Sequence, residues 1–195
     1  MITKLASLIC TKLVNNKKIQ TDETELYTYG LFLLLSSCFF TIASILFGIM
    51  FNCVCEVLIF YVAFRAIRSF SGGYHADTEI RCEISTLLTF FFVTIIIHLS
   101  GKTLTKQIII SLTVLAIPLI LIFAPLDTPA KPLDTDEKKK YRKISLLILS
   151  IIVLIIIVSI IFKIKLLFVP CCLSLILESI LLVAGVIKGR LVNGN

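Results

Sequence analysis

Four stretches of this chain, Leu26–Met50, Gln107–Ala124, Ile144–Phe162 and Leu166–Ile187, are almost uninterrupted apolar sequence. Each has close to the ~20 residues that a helix needs to cross a hydrocarbon core of about 30 Å. Backbone groups inside lipid must find partners within their own segment, so such runs fold as helices or not at all. Two further runs, Cys53–Ile67 and Ile84–Leu99, are shorter. At 1.5 Å per residue they reach only about 22–24 Å. They are either thin spans or a partly embedded hairpin. The expected fold is therefore all-α: a polytopic helical membrane protein of about six transmembrane segments, forming one domain over 1–195.

Composition agrees. Hydrophobic residues make up 58% of the chain and charged ones 16%, against about 45–50% and 25% in soluble domains. The formal net charge of +7 raises the question of nucleic acid. The basic residues sit between the apolar runs, however, which is the pattern of topology signals and of contact with anionic lipid. With the N-terminus inside and six spans, fifteen of the nineteen Lys and Arg fall on the cytoplasmic side, and Lys102, Lys106, Lys163 and Lys165 fall outside. That is a strong positive-inside bias, so the expected location is the cell membrane, multi-pass.

Punctuation marks the boundaries. Asn52 separates the first two runs, Gly72-Gly73 follows the second and Gly101 the third, while Pro125, Pro129 and Pro132 end the fourth. Pro118 should kink the fourth helix without ending it. At the N-terminus, Ile2, Leu5, Leu8, Ile9 and Leu13 recur at helical spacing between Lys4, Ser7 and Lys12. This predicts an amphipathic helix within 1–24, lying on the inner leaflet or against a partner. Met1–Lys18 has neither the continuous apolar core nor the cleavage site of a signal peptide.

Polar chemistry is concentrated in 65–83, which the sequence marks as a candidate catalytic loop. Cys82 stands beside Arg81 near the start of an apolar helix. Both surroundings favour the thiolate that a cysteine nucleophile requires. His75 is the available base. On one continuous helix the two would lie about 10.5 Å apart along the axis. His75 must therefore sit on a segment that folds back over Cys82, with Gly72-Gly73 supplying flexibility. Glycines also let a carbonyl approach backbone N–H groups, as an oxyanion hole requires. Asp77 and Glu79 are alternative orienting carboxylates. The bland alternative is a polar connector with an incidental Cys and His. The other six cysteines, at positions 10, 38, 53, 55, 171 and 172, have no disulfide or zinc spacing and read as small apolar residues. No metal or other cofactor is indicated. His98 reads as an interface residue, and Glu56 is placed to snorkel. Glu178, in the middle of an apolar run, is either protonated or paired inside the bundle or across a subunit interface.

The stretch Arg68…Gly72-Gly73-Tyr74-His75-Ala76…Cys82 resembles the signature of the accessory gene regulator B (AgrB-like) family. A second block, Ala124-Pro125-Leu126-Asp127-Thr128-Pro129-Ala130-Lys131-Pro132-Leu133, resembles that family's Pro- and Lys-rich cytoplasmic loop. The resemblance extends over nearly the whole chain. It implies a membrane cysteine endopeptidase that removes the C-terminal tail of an autoinducing-peptide precursor (AgrD-like) and promotes its cyclisation for quorum sensing. It further implies Cys82 as nucleophile, His75 as base, activity-linked positions at Arg68 and Gly73, and a homodimer. Lys131 with Lys138, Lys139, Lys140, Arg142 and Lys143, in the basic loop 125–143, would attract an acidic precursor tail or simply anchor topology. The competing class is a non-enzymatic peptide transporter or export channel.

Overall fold

A computed structural model describes residues 2–16, 19–74, 78–100, 103–127 and 134–193. Seven helices account for nearly all of them: α1 (Ile2–Asn15), α2 (Thr24–Met50), α3 (Val54–Ser71), α4 (Glu79–Leu99), α5 (Thr103–Phe123), α6 (Thr135–Ile161) and α7 (Lys165–Asn193). The all-α polytopic class is as expected. Five helices, α2 and α4 to α7, are long and apolar enough to cross a membrane by length and composition.

α3 is the exception in composition because Glu56, Arg65 and Arg68 lie within it. It nevertheless runs between the same two ends as its neighbours. Residues from the start of α2, the end of α3, the start of α4, the segment after α5, the start of α6 and the middle of α7 surround one cavity. The opposite termini of these helices surround another. Six helices therefore alternate up and down. α3 and α4 are also longer than the apolar runs implied, at 18 and 21 residues, or about 27 and 32 Å. Charged ends continue both helices beyond their apolar cores.

The connections are set by local chemistry. Between α2 and α3 the chain reverses through Asn52 at φ 54°, and the Cys53 amide donates to the Gly48 carbonyl at 2.8 Å. A Cβ on Gly48 would stand 2.6 Å from the Val54 Cα, so glycine there permits the tight reversal. Thr78 caps α4 in an extended conformation. Asp134 and Glu137 form a reciprocal capping box at the start of α6. This corrects the expected boundaries. Residues 135–143 are the opening turns of α6 rather than part of a loop, and of the expected loop 65–83 residues 65–71 belong to α3 and 79–83 to α4.

The core lies where α3 and α5 pack on α7. Leu175, Glu178 and Leu182 of α7 are wholly buried, as are Phe60 and Ile67 of α3. α4 packs against the rest far less than these helices do. Its main anchor is Phe90, whose ring meets Phe60, Tyr61 and Phe40 edge-on at 5.6–5.9 Å. α1 lies on α2 through Ile2, Ala6 and Cys10, leaving Leu5 and Leu8 exposed. The segment is helical, and the face it packs on α2 is formed by Ile2, Ala6 and Cys10.

Candidate active site

The cavity at the basic end of the bundle has a volume of about 640 Å³, within the usual range for ligand sites. Cys82 lines it, half-buried in the first turn of α4. Ser85, Thr86 and Thr89 follow on the same face at i+3, i+4 and i+7. Their hydroxyls donate back to carbonyls: Ser85 and Thr86 to Cys82, Thr89 to Ser85. The oxygens thus satisfied form a polar stripe running from the thiol into an otherwise aromatic recess built by Tyr29 and Phe40 of α2 and Tyr61 and Phe64 of α3.

The other six cysteines are poorly placed for chemistry. Cys10, Cys171 and Cys172 are buried in helix contacts, and Cys38 and Cys55 lie on helices away from this cavity. Cys53 is buried too, and burial together with the neighbouring Glu56 pushes its thiol up from the ordinary value.

Facing Cys82 is a strap, Gly72-Gly73-Tyr74, that is tied down on several sides. The Leu126 amide donates to the Ser71 carbonyl at 2.8 Å, and the Tyr74 amide donates to the Leu181 carbonyl of α7 at 2.9 Å. Gly72 pairs with Leu126 in an isolated parallel bridge. The Arg68 guanidinium donates to the carbonyls of Gly72 and, at 2.5 Å, of Tyr74. Gly72 and Gly73 have φ of 73° and 123°, a region that disfavours any side chain. A Cβ on Gly73 would also collide with the Arg68 guanidinium. The two glycines therefore serve positive φ, and Gly73 the close approach of Arg68.

Glu178 is the residue whose role sequence reasoning left open. Wholly buried, it accepts from the Ser71 hydroxyl at 2.5 Å and lies 3.7 Å from the Arg68 guanidinium. Its partner is inside the bundle. Arg68 thus joins the end of α3, the strap and α7. The Lys188 ammonium lies over the Tyr74 ring, 5.0 Å from its centroid.

His75 and Asp77 lie outside the described residues, as does the side chain of Glu79. Lys131 also lies outside them. The rest of the basic run is on the first turns of α6. Lys138 pairs with Asp127 at 2.5 Å and Lys139 with Asp136 at 3.6 Å, while Lys140, Arg142 and Lys143 are exposed. His98 donates from Nδ1 to the Phe51 carbonyl, 3.0 Å away at the opposite end.

The chain is similar to known proteins over most of its length. An AgrB-like protein of Clostridium perfringens (strain SM101 / Type A) is 30% identical over 167 residues, covering 83% of this chain and 78% of that one. An AgrB-like protein of Lactiplantibacillus plantarum is 23% identical over 152 residues, with 78% and 76% covered. Protein FsrB of Enterococcus faecalis is 24% identical over 135 residues, with 69% and 56% covered. No solved structure matches. The family model for accessory gene regulator B matches residues 6–182, a span that includes the strap, Cys82, the start of α6 and Glu178, and the chain belongs to that family.

Proposed function

We propose that this protein is a membrane-embedded cysteine endopeptidase, acting on an AgrD-like autoinducing-peptide precursor in quorum sensing. The observation that carries the reading is that Cys82 and Tyr74, the residue covalently joined to His75, line the same cavity. His75 serves as the base. Cys82 gives up its proton to the imidazole, and its thiolate attacks a peptide carbonyl of the precursor. The C–N bond breaks, the amine of the C-terminal tail takes the proton from His75, and an acyl-enzyme thioester remains. A thiol or hydroxyl of the same precursor then attacks the thioester, closes a thiolactone or lactone, and returns the Cys82 thiol. An internal nucleophile held beside the thioester has a high effective molarity, and the half-buried recess slows competing hydrolysis.

The reading places this end of the bundle at the cytoplasmic face. Arg65, Arg68, Arg81, the α6 basic run, Lys188 and Arg190 all belong to it, whereas Lys106, Lys163 and Lys165 lie at the other end. The exposed Lys140, Arg142 and Lys143 supply positive charge that attracts an acidic tail. The homodimer implied by the family resemblance is part of the same reading and is tested by cross-linking in membranes.

Purified protein in proteoliposomes is incubated with synthetic precursor and followed by intact mass. The wild type should gain the mass of the acyl segment at Cys82 and release the tail, and Cys82→Ala should do neither. Full cleavage by Cys82→Ala refutes the assignment. Peptide moved across the membrane without cleavage would favour an export channel instead.

A further inference from the structure

Glu178 is costly as a mere strut. It is wholly buried, and while Oε1 is engaged by Ser71 and Arg68, Oε2 has no hydrogen-bond partner among the described residues. Buried ion pairs add little net stability, and apolar side chains of similar volume often do as well or better. What the carboxylate does uniquely here is fix a guanidinium. Arg68 spends its two terminal nitrogens on the carbonyls of Gly72 and Tyr74. The second of these oxygens belongs to the peptide bond that joins Tyr74 to His75. On the other side of that residue, the Tyr74 amide is held by Leu181, one turn beyond Glu178 on α7.

We propose that Glu178 is a positioning residue for the reaction: through Arg68 it holds the Tyr74 carbonyl against α7, so that the strap leading to the base is fixed at Tyr74. The inference rests on the endopeptidase reading for its consequence in rate, but not for its consequence in strap order. Gly73 fits the same scheme, since any side chain there would push the guanidinium off both carbonyls. Ser71 holds the carboxylate in the rotamer that faces Arg68. Cys82 is not part of this device, because it stands on a different helix.

The test uses the full-length protein in nanodiscs and two variants. In Arg68→Met/Glu178→Leu the ion pair becomes an apolar pair. It should fold and melt at or above the wild-type temperature, while amide exchange at Gly73 and Tyr74, read by mass spectrometry, speeds up at least tenfold. Its kcat per folded molecule should fall about 100-fold, as expected for a reacting group misplaced by about 1 Å, with KM within about threefold. Glu178→Gln keeps the acceptor for Ser71 and removes the charge. It should change both readouts in the same direction, and it carries the test alone if the double variant does not fold. Either readout remaining at the wild-type level in a folded variant overturns the proposal. A wild type that never cleaves precursor would instead sink the endopeptidase reading, leaving the exchange measurement to decide whether Glu178 orders the strap.

Discussion

Gly185 and Gly189 lie one turn apart on α7, and the structure predicts opposite outcomes for the same substitution. Alanine should gain up to about 1 kcal/mol over glycine in a helix interior at either position, by reducing the entropy lost on folding. At Gly189 a Cβ meets nothing within 4 Å, so that gain is uncontested. At Gly185 the Cβ would stand 2.6 Å from the Leu126 Cδ2, 2.8 Å from the Tyr74 nitrogen and 3.0 Å from the Gly73 carbonyl carbon. The leucine methyl can rotate away. The other two atoms are backbone of the strap and must retreat by about 0.8 Å to reach an ordinary contact near 3.6 Å. Such a retreat breaks the 2.9 Å bond from Tyr74 to Leu181 and leaves the Tyr74 amide without its acceptor, at a cost of about 1–3 kcal/mol.

The net expectation for Gly185→Ala is therefore a loss of up to about 2 kcal/mol, against a gain of up to about 1 for Gly189→Ala. Reversible unfolding by SDS in mixed micelles measures the first quantity. Precursor cleavage per folded molecule measures the second consequence, which should be about a 100-fold loss for Gly185→Ala alone. Should Gly185→Ala match Gly189→Ala in both stability and rate, the strap is not seated on α7 as described.

Phe90→Ala removes the main anchor of α4, which is 2% exposed. Unfolding should show a loss of about 2 kcal/mol, below the ~3–5 of water-soluble cores because lipid chains are as apolar as the core. Replacing Lys140, Arg142 and Lys143 with Gln should raise KM for a precursor with an acidic tail several-fold at low salt and hardly at all at high salt. Unchanged KM at every ionic strength would leave these residues as topology anchors. Cys53 should resist an aqueous maleimide at neutral pH, since burial and Glu56 keep its thiol protonated, while alkylation begins as pH rises well beyond the ordinary thiol range. Rapid modification at pH 7 would contradict that burial.

The all-helical, multi-span class was legible because apolar length is a local property, readable without knowing what packs on what. Boundaries were less so. The stretch Asp134-Thr135-Asp136-Glu137 carries a capping-box pattern that announces the start of α6, and the Pro-rich block beside it obscured the signal. The polar stripe Ser85, Thr86 and Thr89 was likewise available from its spacing to Cys82. The role of Arg68 was not. Its partner is 110 residues away in sequence, and nothing in a run of apolar residues says which buried glutamate meets which arginine. The same holds for the glycines. Sequence tells that Gly72-Gly73 permits unusual backbone angles, but whether that freedom is left open or tied down depends on Leu126, in the segment after α5, and Leu181 of α7.

The two halves of the proposed dyad are mounted on different bodies. The strap leading to His75 is fixed to the α3–α7 platform, the most deeply buried part of the molecule, while Cys82 rides on α4, which packs least. Phe90 is eight residues from Cys82, a lever of about 12 Å. A tilt of α4 by only about 5° about that anchor carries Cys82 through about 1 Å, the scale on which reaction rates change 100-fold. A tethered strap and a nucleophile on a light lever make the aromatic packing around Phe90 a determinant of rate as well as of stability. Phe90→Leu, which fills much of the same space without the edge-on ring contacts, should then slow acylation of Cys82 by more than its small loss of stability would imply.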